Sequence, residues 1–345
     1  MSLPCGERVR SAKAGPRRRT KALGLALASM LSAASACAVA APEANGSPAR
    51  APASFAELKP RVVLHVGESA DWVLVTADAV WTGSTGPNAV HRIDPGTGTL
   101  AASIALPGEP CAGLAAGFGA LWVPLCGAKK GLARIDLATN RLVEILPFAP
   151  AGAEGGIATS DDSVWLVTDS KGTLARLDPR TGKRRQVVRL PAGSYNLQHG
   201  DGMVYATRVA GAALTAVDAA TGKVRAIVRT GPHPRFLTIG GGFVWTLNQG
   251  DGTLTRISIE TLKAVGTVAL HTPGSGGDIA FGQGKVWTTL FNTPLSVTDA
   301  STGQVLRQWT GAGGDSLGVG HDAIWITDYR RGTIARIPLG EIALP

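Results

Sequence analysis

Eleven polar residues recur at matching places in a repeating background. Asp71, Glu154, Tyr195, Asn196, His233, Arg235, Asp278 and Asp315 each stand shortly ahead of an aromatic residue, and Arg208, Asn248 and Asp328 follow one. Carboxylates with an amide oxygen are the donors a hard cation such as calcium or magnesium takes, and guanidinium groups hold a carboxylate ligand. His233 is the one histidine in the set. If the chain is an enzyme, His233 is the candidate catalytic base and Glu154 and Asp278 are the candidate metal ligands. The remainder are candidate binding residues. Arg235 and Arg208 also have a purely structural use, pairing with Glu154 or Asp278.

The background that must position them is periodic. Trp81, Trp122, Trp165, Tyr205, Trp245, Trp287 and Trp325 are separated by 41, 43, 40, 40, 42 and 38 residues. Eight residues before each stands Val73, Leu114, Ile157, Leu197, Leu237, Ile279 or Leu317, apolar every time. After most of them comes a turn of the form DPGTG (Asp94), DLATN (Asp136), DPRTG (Asp178), DAATG (Asp218) or DASTG (Asp299), with SIETL (Ser258) as the variant. Asp or Ser opening a turn that closes on Gly or Asn restarts a strand. Each copy reads as four short strands, as in GIATS, VWLVTD, TLARLD and RQVVRL of the third. Seven such copies predict an all-β, seven-bladed propeller of four-stranded blades, with the repeated aromatics packed between blades as core. The last copy lacks a fourth strand, and RVVLHV, Arg61 to Val66, lies unclaimed upstream. It is expected to complete the final blade and close the ring.

In this architecture the DxxTG turns fall on one face and look structural. The loops entering the first strand and leaving the second fall on the other, and there the copies stop agreeing. The polar residues named above should converge at the mouth of the central channel on that variable face. His199 falls in phase with apolar positions and reads as a packed core histidine. No CxxC, HExxH, GxSxG or GxxxxGK[ST] is present. Covalent catalysis has no motif to support it.

Cys111 and Cys126 flank CAGLAAGFGALWVPLC, two apolar runs around Gly117–Ala120. A hairpin centred there sets them directly opposite, the placement of a disulfide in an oxidising compartment. A metal pair is the rival reading, although no His lies nearby in sequence.

The repeat, G/D-x-V-W-V followed by GTLxRIDxxTGKVV, resembles the YVTN-type propellers and the streptogramin (virginiamycin B) lyase group over about residues 60–340. The resemblance implies a propeller and, for the lyases, a divalent metal with a histidine base at the channel mouth. The Glu-x-His element of those lyases does not occur in this sequence. A second likeness, to calcium-dependent lactonase-like propellers, implies acid and amide ligands of the kind Asp71, Glu154, Asn196 and Asp278 supply.

The formal net charge of +9 is not a nucleic-acid signal. Residues 1–40 hold seven basic groups against Glu7, or +6, which leaves +3 for residues 41–345 and no basic stripe. The same segment reads as a signal peptide: a basic stretch ending PRRRTK, the apolar run ALGLALASMLSAASA, and Ala38-Val39-Ala40 before a cleavage point at Ala41. Export would proceed by the general secretory or twin-arginine route. Cys37 is an alternative lipid site, but Ala34 stands where leucine is wanted. The expected layout is a signal peptide over 1–40, a flexible Ala/Pro/Ser-rich linker over 41–57 and the propeller over 58–345. The expected function is that of an exported, periplasmic or extracellular monomeric platform. It would bind a small molecule or protein on its variable face, with no nucleic acid and no integral membrane span. The alternative is a metal-dependent lyase or hydrolase of the streptogramin-lyase or lactonase kind. Calcium or magnesium is the possible cofactor.

Overall fold

The repeated turn is where the fold is set locally. In a computed structural model, which describes residues 51–344, the carboxylates of Asp94, Asp136, Asp178, Asp218 and Asp299 each accept the N–H of the Thr three residues on, at 2.7 to 2.9 Å. The carboxyl groups lie below the usual carboxylate range: those Thr N–H bonds lead for Asp94, Asp178 and Asp218, the Thr139 hydroxyl for Asp136 and the Ser301 hydroxyl for Asp299. An aspartate used this way is a turn lock, and the turn face is structural as expected.

Between such turns the chain makes seven antiparallel sheets. The first blade is Ser69–Val75, Val80–Thr85, Ala89–Ile93 and Leu100–Ala105; the third is Ile157–Thr159, Val164–Val167, Thr173–Leu177 and Arg184–Arg189. The aromatics of the repeat are fully buried in the second strands. In five blades the residue directly across the ladder is arginine: Trp81 faces Arg92, Trp122 Arg134, Trp165 Arg176, Trp245 Arg256 and Trp325 Arg336. Each guanidinium carbon lies 5.1 to 5.8 Å from its ring centroid. Such stacking contributes about 0.5–2 kcal/mol per pair and gives the arginine of TLxRID its purpose.

The last blade is closed by the upstream strand. Val62–His65 pairs antiparallel with Thr333–Pro338, Val62 opposite Arg336 and His65 opposite Thr333. Arg61 Nε donates to Glu341 Oε1 at 2.9 Å beside it. Val62 also reaches the first blade: a Cβ on Gly98, at φ 72°, would meet the Val62 methyl at 2.6 Å, so that turn needs glycine.

Two expectations change. The signal peptide and most of the linker lie outside the described residues, but the end of the linker is held on the propeller. Ala53–Ser54 adds to blade six as a fifth strand parallel to Val305–Thr310, and Phe55–Glu57 forms a short 3-10 turn. Ala53 and Phe55 have apolar surface to bury against Trp309 and its neighbours, which outweighs the Ala/Pro/Ser composition. The disulfide between Cys111 and Cys126 is present, with Cα atoms 5.8 Å apart, but the two residues are not opposed in the ladder. Glu109 faces Cys126 and Ala115 faces Trp122, so the register slips by two. Cys111 sits in the intervening bulge, because Gly113 N–H turns away to Gly155 O of the next blade at 2.9 Å. Cys126→Ser should lower stability by roughly 2–4 kcal/mol. Urea melts with and without reductant will check this, and coincident curves would remove it.

Candidate functional site

The innermost strands carry the site, in two layers. Directly ahead of the apolar marker residue the blades present Trp72, Gly113, Gly156, Asn196, Phe236, Asp278 and Ser316 in turn. One residue earlier come Asp71, Ala112, Gly155, Tyr195, Arg235, Gly277 and Asp315. Glycine in blades two and three leaves room in the channel that the Trp72 indole takes, and Gly113 lies in van der Waals range of it. The indole meets Phe236 of blade five edge-on, ring centroids 6.4 Å apart. Trp72 holds φ at 61°, a left-handed conformation that costs a bulky residue about 1–2 kcal/mol. The ladder slips between Asp71 and Val73 to allow it. This aromatic pair divides the axis into a cup on the variable face and a channel running toward the turn face.

The cup, about 270 Å³, is lined by Asp71, Glu109, Glu154, Asp315, Phe291 and Tyr329 among others. Asp71 Oδ1 accepts from Ser316 Oγ at 2.6 Å and from the Trp72 N–H at 2.7 Å. Asp315 Oδ1 accepts the Gly277 N–H at 2.7 Å, and Thr289 Oγ1 donates to the Asp315 carbonyl. Asp278 Oδ1 accepts the Ile279 N–H at 2.8 Å. Its carboxyl lies deep in the ring, although the residue keeps some exposure to the channel. Burial first, then nearby carboxylates, pushes all three carboxyl groups up: Asp315 repels Asp71, both repel Asp278, and Glu154 and Asp328 repel Asp315. Asp278 reaches about 8, and the Asp71 and Asp315 pair shifts the same way. Among the described residues no arginine or lysine pairs with these three, and Asp278 holds its proton at neutral pH unless a cation arrives to replace it.

Glu154 is different. Arg235 donates to its Oε2 through Nε at 3.0 Å and Nη2 at 2.5 Å, and lies 5.2 Å from the Tyr195 ring. The Tyr195 hydroxyl donates to the Ala153 carbonyl, and burial pushes its own ionisation up to about 12. This pair is partly solvated, side chains 31% and 43% exposed. Arg235→Ala should therefore cost about 1 kcal/mol or less in urea denaturation, and a larger loss would mean that the pair holds the ring.

Of the residues singled out by position, then, Asp71, Asp278 and Asp315 come together, and Glu154, Tyr195 and Arg235 form a second group beside them. Asn196 faces the channel. The others are engaged elsewhere. Asn248 is buried in its own blade, bonded to Thr246, Thr253 and Thr255. Arg208 turns back to the Ala192 carbonyl at 2.9 Å. Asp328 caps the turn Tyr329–Arg331 and lines a neighbouring recess. His233 is exposed at φ 54°, and its carbonyl accepts the Gln249 N–H. Among the described residues no three His, Cys, Asp or Glu side chains meet in a metal-holding group. The commitment of Glu154 to Arg235 is one reason. The position of Trp72 was not legible in the sequence: only its bulk, shared in that layer by Phe236 alone, hinted at it.

No curated protein matches the chain by sequence. Among solved structures it is similar to a streptogramin B lyase, at 16% identity over 82% of this chain and 98% of that one, with a TM-score of 0.67. It is also similar to BamB from Moraxella catarrhalis, at 12% identity over 81% and 99% with a TM-score of 0.57. The computationally designed Ika8 protein matches at 17% identity over 77% and 82%, with a TM-score of 0.59. At these identities the likeness is one of fold, and it bears out the resemblance to the lyase group at that level. No helix among the described residues is long and apolar enough to cross a membrane. Residues 88–337, well over half the chain, match the family described as outer membrane protein assembly factor BamB, and the chain belongs to that family.

Proposed function

We propose that this protein is an exported docking platform that holds a partner polypeptide on its variable face, a basic side chain of the partner entering the acid cup. Family membership supports an assembly role, and the disulfide supports an oxidising, periplasmic or extracellular location. The observation that carries the reading is the cup itself. Asp315 is buried and Asp71 half-buried in its lining, neither with a cationic partner among the described residues, while Phe291 and Tyr329 stand 38% and 43% exposed at its wall. A lysine or arginine side chain would ionise the carboxyl groups and lay its stem along the rings. Exposed aromatics around a charged centre are the composition of an interface hot spot.

The lyase or hydrolase alternative draws on the same acids and on the likeness to a streptogramin B lyase, but His233 lies exposed and Glu154 is spoken for. Two experiments separate the readings. A photo-crosslinking residue at Tyr329 should capture a discrete polypeptide in cells. The same residue at Val187, on the outer strand of blade three, should not. Equal capture at both sites, or none, would sink the docking reading. A melting midpoint that rises with calcium or magnesium and not in Asp278→Ala would favour the enzyme instead.

A further inference from the structure

The channel on the other side of Trp72 has chemistry that neither the cup nor the ring explains. It measures about 430 Å³, within the range of small-ligand pockets, and is walled by the inner strands of blades one to four with Asp278 reaching in from blade six. Asn196 is only 8% exposed, and its side-chain amide has no hydrogen-bond partner among the described residues. Its backbone N–H is the group that bonds, to Thr207 Oγ1 at 3.2 Å. His199 also lines the channel, and its Nε2 is buried without a partner among the described residues. Its ring lines the channel while that nitrogen stays covered, as in a packed histidine. A polar group without a hydrogen bond in a buried setting costs about 1–3 kcal/mol, and the Asn196 amide marks a place made to be completed.

What completes it follows from charge. The channel lining includes the Asp278 carboxyl group and the amides of Asn196 and Gln198 as acceptors, and no lysine or arginine. Trp72 closes its inner end with Phe236 behind, presenting an aromatic surface. A carboxyl group, amide oxygens and an aromatic wall suit an N–H donor that carries positive charge. Val73, Leu114, Ile157 and Leu197 supply apolar contact for a short carbon chain. We propose that the channel between Trp72 and the turn face binds a small primary ammonium ion, held by Asp278 and the Asn196 amide oxygen. This site lies on the other side of Trp72 from the docking cup and takes its ligand from the opposite face, although Asp71 and Asp315 of the cup act on Asp278 through space.

The test is calorimetric titration of the full chain with n-butylammonium chloride, against sodium chloride at equal ionic strength and against sodium butyrate. Saturable one-to-one binding is expected for n-butylammonium only. Asp278→Asn and Asn196→Leu should each weaken it at least about tenfold, as loss of a charge-assisted bond does. Glu144→Gln, on the outer strand of blade two, should not change it. Should either channel variant fail to fold, proton resonances of the wild-type histidines give the answer, with His199 identified through His199→Gln. The His199 signal should move on titration while those of His65 and His233 stay in place. No saturable heat would mean that water alone fills the channel and would overturn the proposal. So would affinity unchanged in both channel variants, or a shift at His233 in place of His199.

Discussion

A chain lacking residues 51–66 should lose its closed ring and aggregate. The deletion strips the fourth strand from the last blade, leaving Thr333–Pro338 as a bare edge, and takes the parallel addition from blade six. The ladder bonds of Val62–His65, the Val66 N–H bond to Gly332 O and the half-buried Val62 and Leu64 side chains go with it. At about 1 kcal/mol for each net hydrogen bond and each half-buried aliphatic group, the loss is about 5 kcal/mol, comparable with the whole stability of many domains. The exposed edge adds a second effect, because an unpaired strand recruits other chains. Size-exclusion chromatography and urea melts check both. A monomer with an unchanged midpoint would show that the ring holds without its latch.

Stability should fall as pH rises from 6.5 to 8, the reverse of what acid-sensitive proteins do. Asp278 titrates near 8 in the folded chain against 3.8 when unfolded, because burial and the neighbouring Asp71 and Asp315 penalise its charge. A carboxyl group raised in this way contributes stability that is complete below its unfolded value and lost as pH climbs through its folded value. Over the 1.5 pH units in question the loss from Asp278 is about 2 kcal/mol, at 1.36 kcal/mol for each unit. Asp71 and Asp315 act with the same sign. Below this window His91 opposes them. Burial lowers it from 6.5 to about 4, its ring held between Ser84 Oγ at 2.8 Å and Ser103 Oγ at 2.9 Å. A depressed histidine gives up stability as pH falls from 6.5 toward 4, which offsets part of the carboxyl slope there. Asp278→Asn keeps the neutral hydrogen-bonding shape and should flatten the slope between 6.5 and 8 while raising stability at pH 8. Urea melts across that range decide it. A wild-type midpoint that does not fall, or a slope unaltered in Asp278→Asn, would show that the carboxyl is ionised and solvated after all.

The two results bear on function together. A ring closed by its own amino-terminal strand is a rigid frame, and rigidity is what lets seven inner strands hold uncompensated acids at close quarters. The pH dependence measures the cost of that arrangement, and a cation that relieves it, from partner or from solution, would bind with part of that energy.

The sequence by itself determined the ring. The aromatic spacing, the Asp-to-Thr turns and the spare strand Arg61–Val66 are local signals, and each acts through hydrogen bonds or burial within a few residues or one ladder. It also placed Asp71, Asp278 and Asp315 on one axis, because a fixed repeat converts alignment into position. Only the tertiary structure decided what those positions do. Whether Arg235 would take Glu154 or Asp278 depended on which blades face each other across the mouth, and repeat spacing is silent on that. The two-residue slip that takes Cys111 out of register arises from a bond to the next blade. The capture of Ala53–Ser54 needs the surface around Trp309, which is 256 residues away from Ala53 in the chain. Trp72 is the clearest case. Its indole crosses the axis to Phe236 and separates cup from channel, and no pattern in the strand that carries it encodes a contact made through empty space to the far side of a ring.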